Sequence, residues 1–280
     1  MTVAPSQDRS GPGHARSPGA CLARRDHCCD GPRAPWCEGC RVRSLSPCAT
    51  QSEANGPTAP SFWVSESIVA AGDDIVEQSE PCGDFHVIID GWAVQYELLE
   101  DGSRQILDFL PAGSIVGLQP DGDAPPAYFV QALTTVRVCS FSMAGFLRAA
   151  RSNSALALWL AAAASRSHCR SLHRLTLLGR MTAKKRVAAL LLELYRQGRP
   201  WSASQREDEI SLPMTQEHIG DALGLTSIHV NRMLRELREE GLLVLKHGVL
   251  RILDRERLAE TAGWDDHQPA SRPTSHRVGG

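Results

Sequence analysis

No stretch of this 280-residue chain is apolar for long enough to cross a bilayer. Its beginning, rich in Pro, Gly, Ser and Arg, lacks the apolar core of a signal peptide. A cytoplasmic location is the expectation, with no membrane partner. The chain also lacks a strong net charge: 30 Lys and Arg stand against 32 Asp and Glu, a formal −2. No whole-molecule field holds it on nucleic acid, so any such attraction must be local. Neither a nucleophile–base pair nor a phosphate loop is present, which sets enzymes aside. One absence is itself local: Ala144 to Leu192 contains no Asp or Glu, yet carries several Arg and Lys.

Cysteine, by contrast, is plentiful, with nine residues. In a reducing compartment these are ligands or sensors rather than structural disulfides. Four stand out. Cys37, Cys40 and Cys48 lie close together in a polar arm, and Cys139 lies far downstream, at the end of an apolar alternating stretch. Thiolates are soft ligands. Joined to a DNA-reading element, they suggest a metal site that senses something redox-active, with oxygen the leading candidate. Cys21, Cys28 and Cys29 are also in the arm, and Cys28 or Cys29 is an alternative to Cys37, although neither has the motif's gap to Cys40. Cys82 and Cys169 read as ordinary buried or half-buried residues.

Five regions follow from composition and periodicity. Residues 1–60 form a flexible Cys-rich arm without apolar periodicity, which should not fold alone. Residues 61–150 carry a β pattern: Trp92 to Leu98 alternates, Glu100-Asp101-Gly102-Ser103 turns, and Gln105 to Leu110 returns. Ala127 to Leu133 and Thr135 to Phe141 supply further strands, so the expectation is a sandwich or β-roll. In the last strand Arg137, Cys139 and Phe141 share one face, and Cys139 should point away from the roll's core.

Residues 151–180 hold one long helix, Ser154 to about Leu178, without Pro or Gly. Leu158, Ala161, Ser165, His168, Leu172 and Leu175 follow the spacing of a coiled-coil seam that is small and polar in the middle. A marginal homodimer is the first reading, and a helix packed on its own roll is the other. Residues 181–258 hold a helix from Thr182 to Leu194 and then a helix-turn-helix, and residues 259–280 are expected to be a disordered tail.

In the helix-turn-helix, Thr215 caps a short helix with Glu217 in its first turn, Gly224 makes the tight turn, and Thr226 caps the next helix. Val230, Leu234 and Leu237 face the core. The opposite face shows Ser227, Ile228, Asn231, Arg232 and Arg235, as a recognition helix in the major groove requires. Arg232 has the fork for guanine, Asn231 suits adenine, and Ile228 suits a thymine methyl. Thr226, Ser227 and His229 suit phosphates, which position without specifying. Arg235 and Arg238 can equally pair with neighbouring acids on a solvated face. Leu242 to Lys246, His247-Gly248 and Val249 to Ile252 make a hairpin wing.

Over residues 60 to 258 the chain resembles the Crp/Fnr superfamily. The motif Ile219-Gly220-Asp221-Ala222-Leu223-Gly224-Leu225-Thr226 is similar to the family's. Gln131 to Cys139 resembles the strand carrying the central cysteine of FNR-type oxygen sensors, and Cys37 to Cys48 resembles their cluster arm. The resemblance implies an α+β fold: a cyclic-nucleotide-binding-like β-roll, a long dimerisation helix and a winged helix-turn-helix. It also implies that Cys37, Cys40, Cys48 and Cys139 bind an oxygen-labile [4Fe-4S] cluster. The partners it implies are a second copy, palindromic double-stranded DNA and RNA polymerase.

Departures are visible. Seven residues separate Cys40 from Cys48, against five in the enterobacterial branch. Ile228 and Asn231 replace the branch's Glu and Ser, while Arg232 matches, so the target sequence is not carried over. Gly113 to Phe129 contains neither the Gly-Glu pair nor the Arg-Ser of a cyclic-AMP pocket. Four thiolates are the usual complement of a cubane, and Arg41 and Arg43 can offset its charge. On this reading an intact cluster ties the arm to the strand before the long helix and favours the dimer. Three alternatives remain: a Crp-type regulator answering another small ligand, a thiol-based redox sensor, and a zinc-stabilised interaction protein.

Overall fold

A computed structural model of the chain describes residues 39–50, 60–77, 83–118, 125–204 and 206–263. Cys21, Cys28, Cys29, Cys37 and Cys82 lie outside the described residues, as does everything after 263.

The architecture is α+β. Eight strands come first among the described residues: β1 (Trp63–Val69), β2 (Asp74–Val76), β3 (Asp84–Asp90), β4 (Trp92–Leu98), β5 (Arg104–Pro111), β6 (Ile115–Val116), β7 (Phe129–Ala132) and β8 (Val136–Ser142). They form two antiparallel sheets, β1-β8-β3-β6 and β2-β7-β4-β5. Successive side chains of a strand point to opposite faces. Ile88, Val136 and Val138 therefore meet Ala93, Leu110 and Val130 in one core between the sheets. Phe85, Val87 and Phe141 point the other way, into a second cluster on the outside of the first sheet. Gly91, at φ +89°, makes the β3–β4 turn, where a Cβ would sit 2.5 Å from the Thr135 carbonyl oxygen.

Helix α1 (Met143–Ala150) and helix α2 (Ser154–Arg180) follow, capped by Ser142 and Asn153. With 27 residues, α2 is about 40 Å long. It serves two faces. Leu156, Arg174 and Leu177 are buried and Trp159 half-buried. Every residue of the seam predicted from spacing is exposed in the single chain, Leu158 at 70% and Leu175 at 66%. The two sequence readings of this helix are thus complementary, since one face packs on the chain's own roll and the other is left open. Cys169 is also exposed here, not buried or half-buried as expected, because it falls next to the open seam.

Helix α3 (Ala183–Gly198) runs four residues past its expected end at Leu194, since Tyr195 and Gly198 are still buried. A 3-10 turn, Arg199–Trp201, then leads to β9 (Glu209–Ser211), α4 (Gln216–Leu223), α5 (Ser227–Glu239), β10 (Leu243–Lys246) and β11 (Val249–Ile252). The last strands form a sheet in the order β10-β11-β9. Residues 259–263, expected in a tail, are ordered instead. Helix α6 (Arg255–Ala262), capped by Asp254, buries Leu258 and Ala262. Its two buried positions give too short a periodic signal to be read in sequence.

Candidate metal centre and nucleic-acid interface

The described part of the arm, residues 39–50, packs onto the roll. Residues 43–45 and 47–50 form two 3-10 turns, and Val42 is fully buried between them and the sheet. Ser46 holds the turns together: its hydroxyl donates to the Arg43 carbonyl (2.9 Å) and accepts from the Cys48 N–H (3.3 Å). The arm's path fixes two cysteines. Cys48 is buried and Cys40 half-buried in the cluster on the outside of the first sheet, alongside Phe85, Phe141, Phe146 and Leu156. Cys139 of β8 joins the same cluster from beneath. It does face away from the inter-sheet core, but arm and helices cover it.

Three of the four cysteines singled out in sequence are thus gathered, and Cys37 lies outside the described residues. Burial pushes the Cys139 thiol far above the usual cysteine range. Glu66, its cross-strand partner on β1, pushes it further, and Cys48 and Cys40 add to this. The Trp63 indole N–H opposes the rise by facing the sulfur, although it makes no hydrogen bond of normal geometry. Such a thiol stays protonated at neutral pH and is a poor nucleophile, whereas coordination to a metal deprotonates a thiol outright.

One buried donor in this neighbourhood lacks an acceptor, Nη1 of Arg43 on the arm between Cys40 and Cys48, while Nε1 of Trp63 faces the Cys139 sulfur. Thiols, a guanidinium and an indole N–H suit an anionic metal–sulfur group. Among the described residues, no group of three or more His, Cys, Asp or Glu side chains is disposed to hold a metal ion.

Sequence reasoning missed what the arm touches next. The Trp159 indole N–H of α2 donates to the Leu45 carbonyl at 3.1 Å. The Arg41 guanidinium lies 5.9 Å from the centre of the Trp201 ring. Trp159 in an Ala-rich run and Trp201 directly after Pro200 were the available signal.

The DNA-reading element is built from local rules. Thr215 and His218 form a reciprocal cap at the start of α4, Gly224 adopts φ +62°, and Thr226 accepts from the His229 N–H at 3.3 Å. Gly220 allows the turn to close, because a Cβ there would lie 2.4 Å from the Leu225 carbonyl oxygen. Val230, Met233, Leu234 and Leu237 bury one side of α5. Thr226, Ser227, Ile228, His229, Asn231, Arg232 and Arg235 are all exposed. Ile228 is 82% exposed, so no intramolecular packing accounts for it. Arg235 lies 3.7 Å from Glu239 and Arg232 lies 4.0 Å from Glu236, loose surface pairs that leave both guanidiniums available. Basic residues of α3 are structural instead: Arg186 donates to the Met181 and Leu223 carbonyls, and Lys184 pairs with Glu240. The wing turns through His247 (φ 51°) and Gly248 (φ 72°).

Residues 67–153 match the cyclic nucleotide-binding domain family, and residues 185–261 match the Crp-like helix-turn-helix domain family. The chain is similar to the nitrogen fixation regulation protein FixK of Bradyrhizobium diazoefficiens, at 28% identity over 82% of this chain and 95% of that protein. It is 31% identical to the transcriptional activatory protein AadR of Rhodopseudomonas palustris, over 65% of this chain and 75% of that one. The fumarate and nitrate reduction regulatory protein of Escherichia coli is 26% identical over 81% and 90%. Among solved structures, FixK2 from Bradyrhizobium japonicum superposes with a TM-score of 0.64 at 29% identity, over 70% of this chain and 96% of that one.

Proposed function

The chain belongs to the Crp/Fnr family of DNA-binding transcription regulators, and we propose that it is an oxygen-responsive member acting as a homodimer on palindromic promoter DNA. It is not an enzyme; its relatives are transcription regulators. The observation that carries the oxygen reading is the meeting of Cys40, Cys48 and Cys139 in one cluster beside α2.

Cys37, Cys40, Cys48 and Cys139 would hold a [4Fe-4S] cluster, whose chemistry when bound is an oxygen-labile tie between arm and roll. Arg43 would offset its charge. Cys40 and Cys48 hold the arm against β8, and Trp159 passes the arm's position to α2. The open seam of α2, Leu158 to Leu175, receives the second copy. Two recognition helices then enter adjacent major grooves roughly 34–36 Å apart. Arg232, Asn231 and Ile228 read bases, Thr226, Ser227 and His229 take phosphates, and Arg235 supports either. No cyclic nucleotide is assigned, since Gly113 to Phe129 has neither the Gly-Glu nor the Arg-Ser pair. RNA polymerase is the partner once the dimer is on DNA, and the cytoplasm is the compartment this work requires.

The test is oxygen-free purification of wild type and Cys139→Ala, with iron, sulfide and zinc analysis. The expected wild-type protein is brown, holds iron and sulfide, bleaches in air and loses dimer mass in sedimentation. Cys139→Ala should be colourless. A wild type containing zinc alone would point to the zinc-stabilised reading; a metal-free one that needs an added effector would point to another small ligand.

A further inference from the structure

The segment after α3 does not stay with the DNA-reading module. Gly198 ends the helix hard against the roll, where a Cβ would lie 2.7 Å from the Trp92 ring and 3.2 Å from Ile210. The chain then turns through Arg199–Trp201 and inserts Trp201 into the cluster that holds Cys40, Cys48 and Cys139. Three parts of the molecule meet there. Gly113 of the roll, at φ +86°, approaches so closely that a Cβ would be 2.5 Å from Leu45 of the arm and 3.5 Å from Trp201. From the arm, Arg41 lies over the Trp201 ring, 5.9 Å from its centre, and 3.5 Å from the Pro200 carbonyl oxygen.

Arg41 and Leu45 both fall between Cys40 and Cys48. Whatever holds those cysteines to β8 therefore also holds the surface against which Trp201 rests. Downstream, Trp201 leads into β9, which pairs with β11 of the wing, and the Tyr195 hydroxyl donates to the Glu207 carbonyl to brace the connection. The route from arm to wing is short and does not include α2.

We propose that Trp201 is a positioning residue that fixes the orientation of the DNA-reading module to the arm's position, a second output beside dimerisation. This rests on the reading of the arm as a cluster-bearing segment. An output of this kind alters how well an existing dimer fits its site, and couplings between sites typically change affinity by 5–150-fold.

The experiment removes dimerisation as a variable. Two full-length chains are joined in one polypeptide, as wild type, Trp201→Ala and Trp201→Phe. Each is loaded without oxygen and assayed before and after air bleaching on a palindromic DNA selected with the loaded wild type. Bleaching is expected to weaken wild-type affinity by about tenfold. Trp201→Ala should keep its iron content but bind DNA equally before and after, more weakly than loaded wild type. Trp201→Phe, which retains a ring for Arg41 and Leu45, should still respond. A joined wild type that bleaches with unchanged affinity overturns the inference and leaves the proposed function standing, as does a Trp201→Ala that responds fully. A joined wild type without iron overturns both.

Discussion

The indole N–H of Trp159 donates to the carbonyl of Leu45 across 3.1 Å, joining residues 114 apart in sequence. It ties the arm, midway between Cys40 and Cys48, to the long helix. Trp159→Phe keeps an aromatic ring against Phe146 and Phe85 and removes the donor together with the indole's five-membered ring. The expected cost to stability of the lost hydrogen bond is about 1 kcal/mol. Sedimentation of the iron-loaded variant should show a dimer fraction close to that of bleached wild type; an unchanged fraction would remove Trp159 from the route.

Arg232 and Ile228 separate base reading from general attraction. Arg232→Ala should weaken binding to the selected site by about 1–3 kcal/mol and relax preference at one base pair. Ile228→Ala should cost less and act at a neighbouring thymine. Neither should alter thermal stability, because both side chains are exposed. Binding measured against a set of single-base variants of the site distinguishes these from loss of a phosphate contact, which lowers all affinities alike.

Arg174 is a buried ion with three commitments. It lies 3.2 Å from Asp108 of β5 and 3.4 Å from Glu193 of α3, and donates to the Leu107 carbonyl at 2.6 Å. Burial pushes the Glu193 carboxyl up, while Arg174 opposes that rise. Arg174→Met leaves the Asp108 and Glu193 carboxylates with only Arg170, 3.2 Å from Asp108, to offset them. Breaking such a pair from one side typically costs about 3–5 kcal/mol, readable as a lowered urea midpoint. Arg174→Met with Glu193→Met should recover part of the loss.

His86 carries a pH dependence. Its ring is fully buried, Nδ1 lies 2.9 Å from the Ser140 hydroxyl, and burial pushes its pKa down to about 4 from 6.5. The unfolded chain thus binds a proton at a higher pH than the folded one. The contribution to stability is whole above pH 6.5 and is lost as pH falls through that value towards 4. The total is on the order of 3 kcal/mol. Denaturant midpoints from pH 7 to 4 should fall more steeply for wild type than for His86→Gln; parallel slopes would contradict this.

Much of the fold was legible because its signals are local. β4 matches its alternating run residue for residue, and the caps at Thr215 and Thr226 and the turn at Gly224 lie where residue type dictates. The exposed face of α5 follows from the buried positions of Val230, Leu234 and Leu237. Illegible were the contacts that need the third dimension. Nothing in a Pro- and Ser-rich arm indicates that Val42 will be fully buried, or that Trp159 and Trp201 will converge on it. α6 was missed because eight residues with two apolar anchors barely differ from a polar tail.

Leu158, Leu172 and Leu175 stand exposed on a helix whose other side is already committed to the roll. With the proposed pairing, assembly rises with the square of the chain's abundance, and the small, polar middle of the strip keeps that equilibrium from saturating. Gene dosage then becomes an input in its own right: overproduction would partly mimic the inducing condition, and a cell could retune its threshold by synthesis rate without altering a single residue.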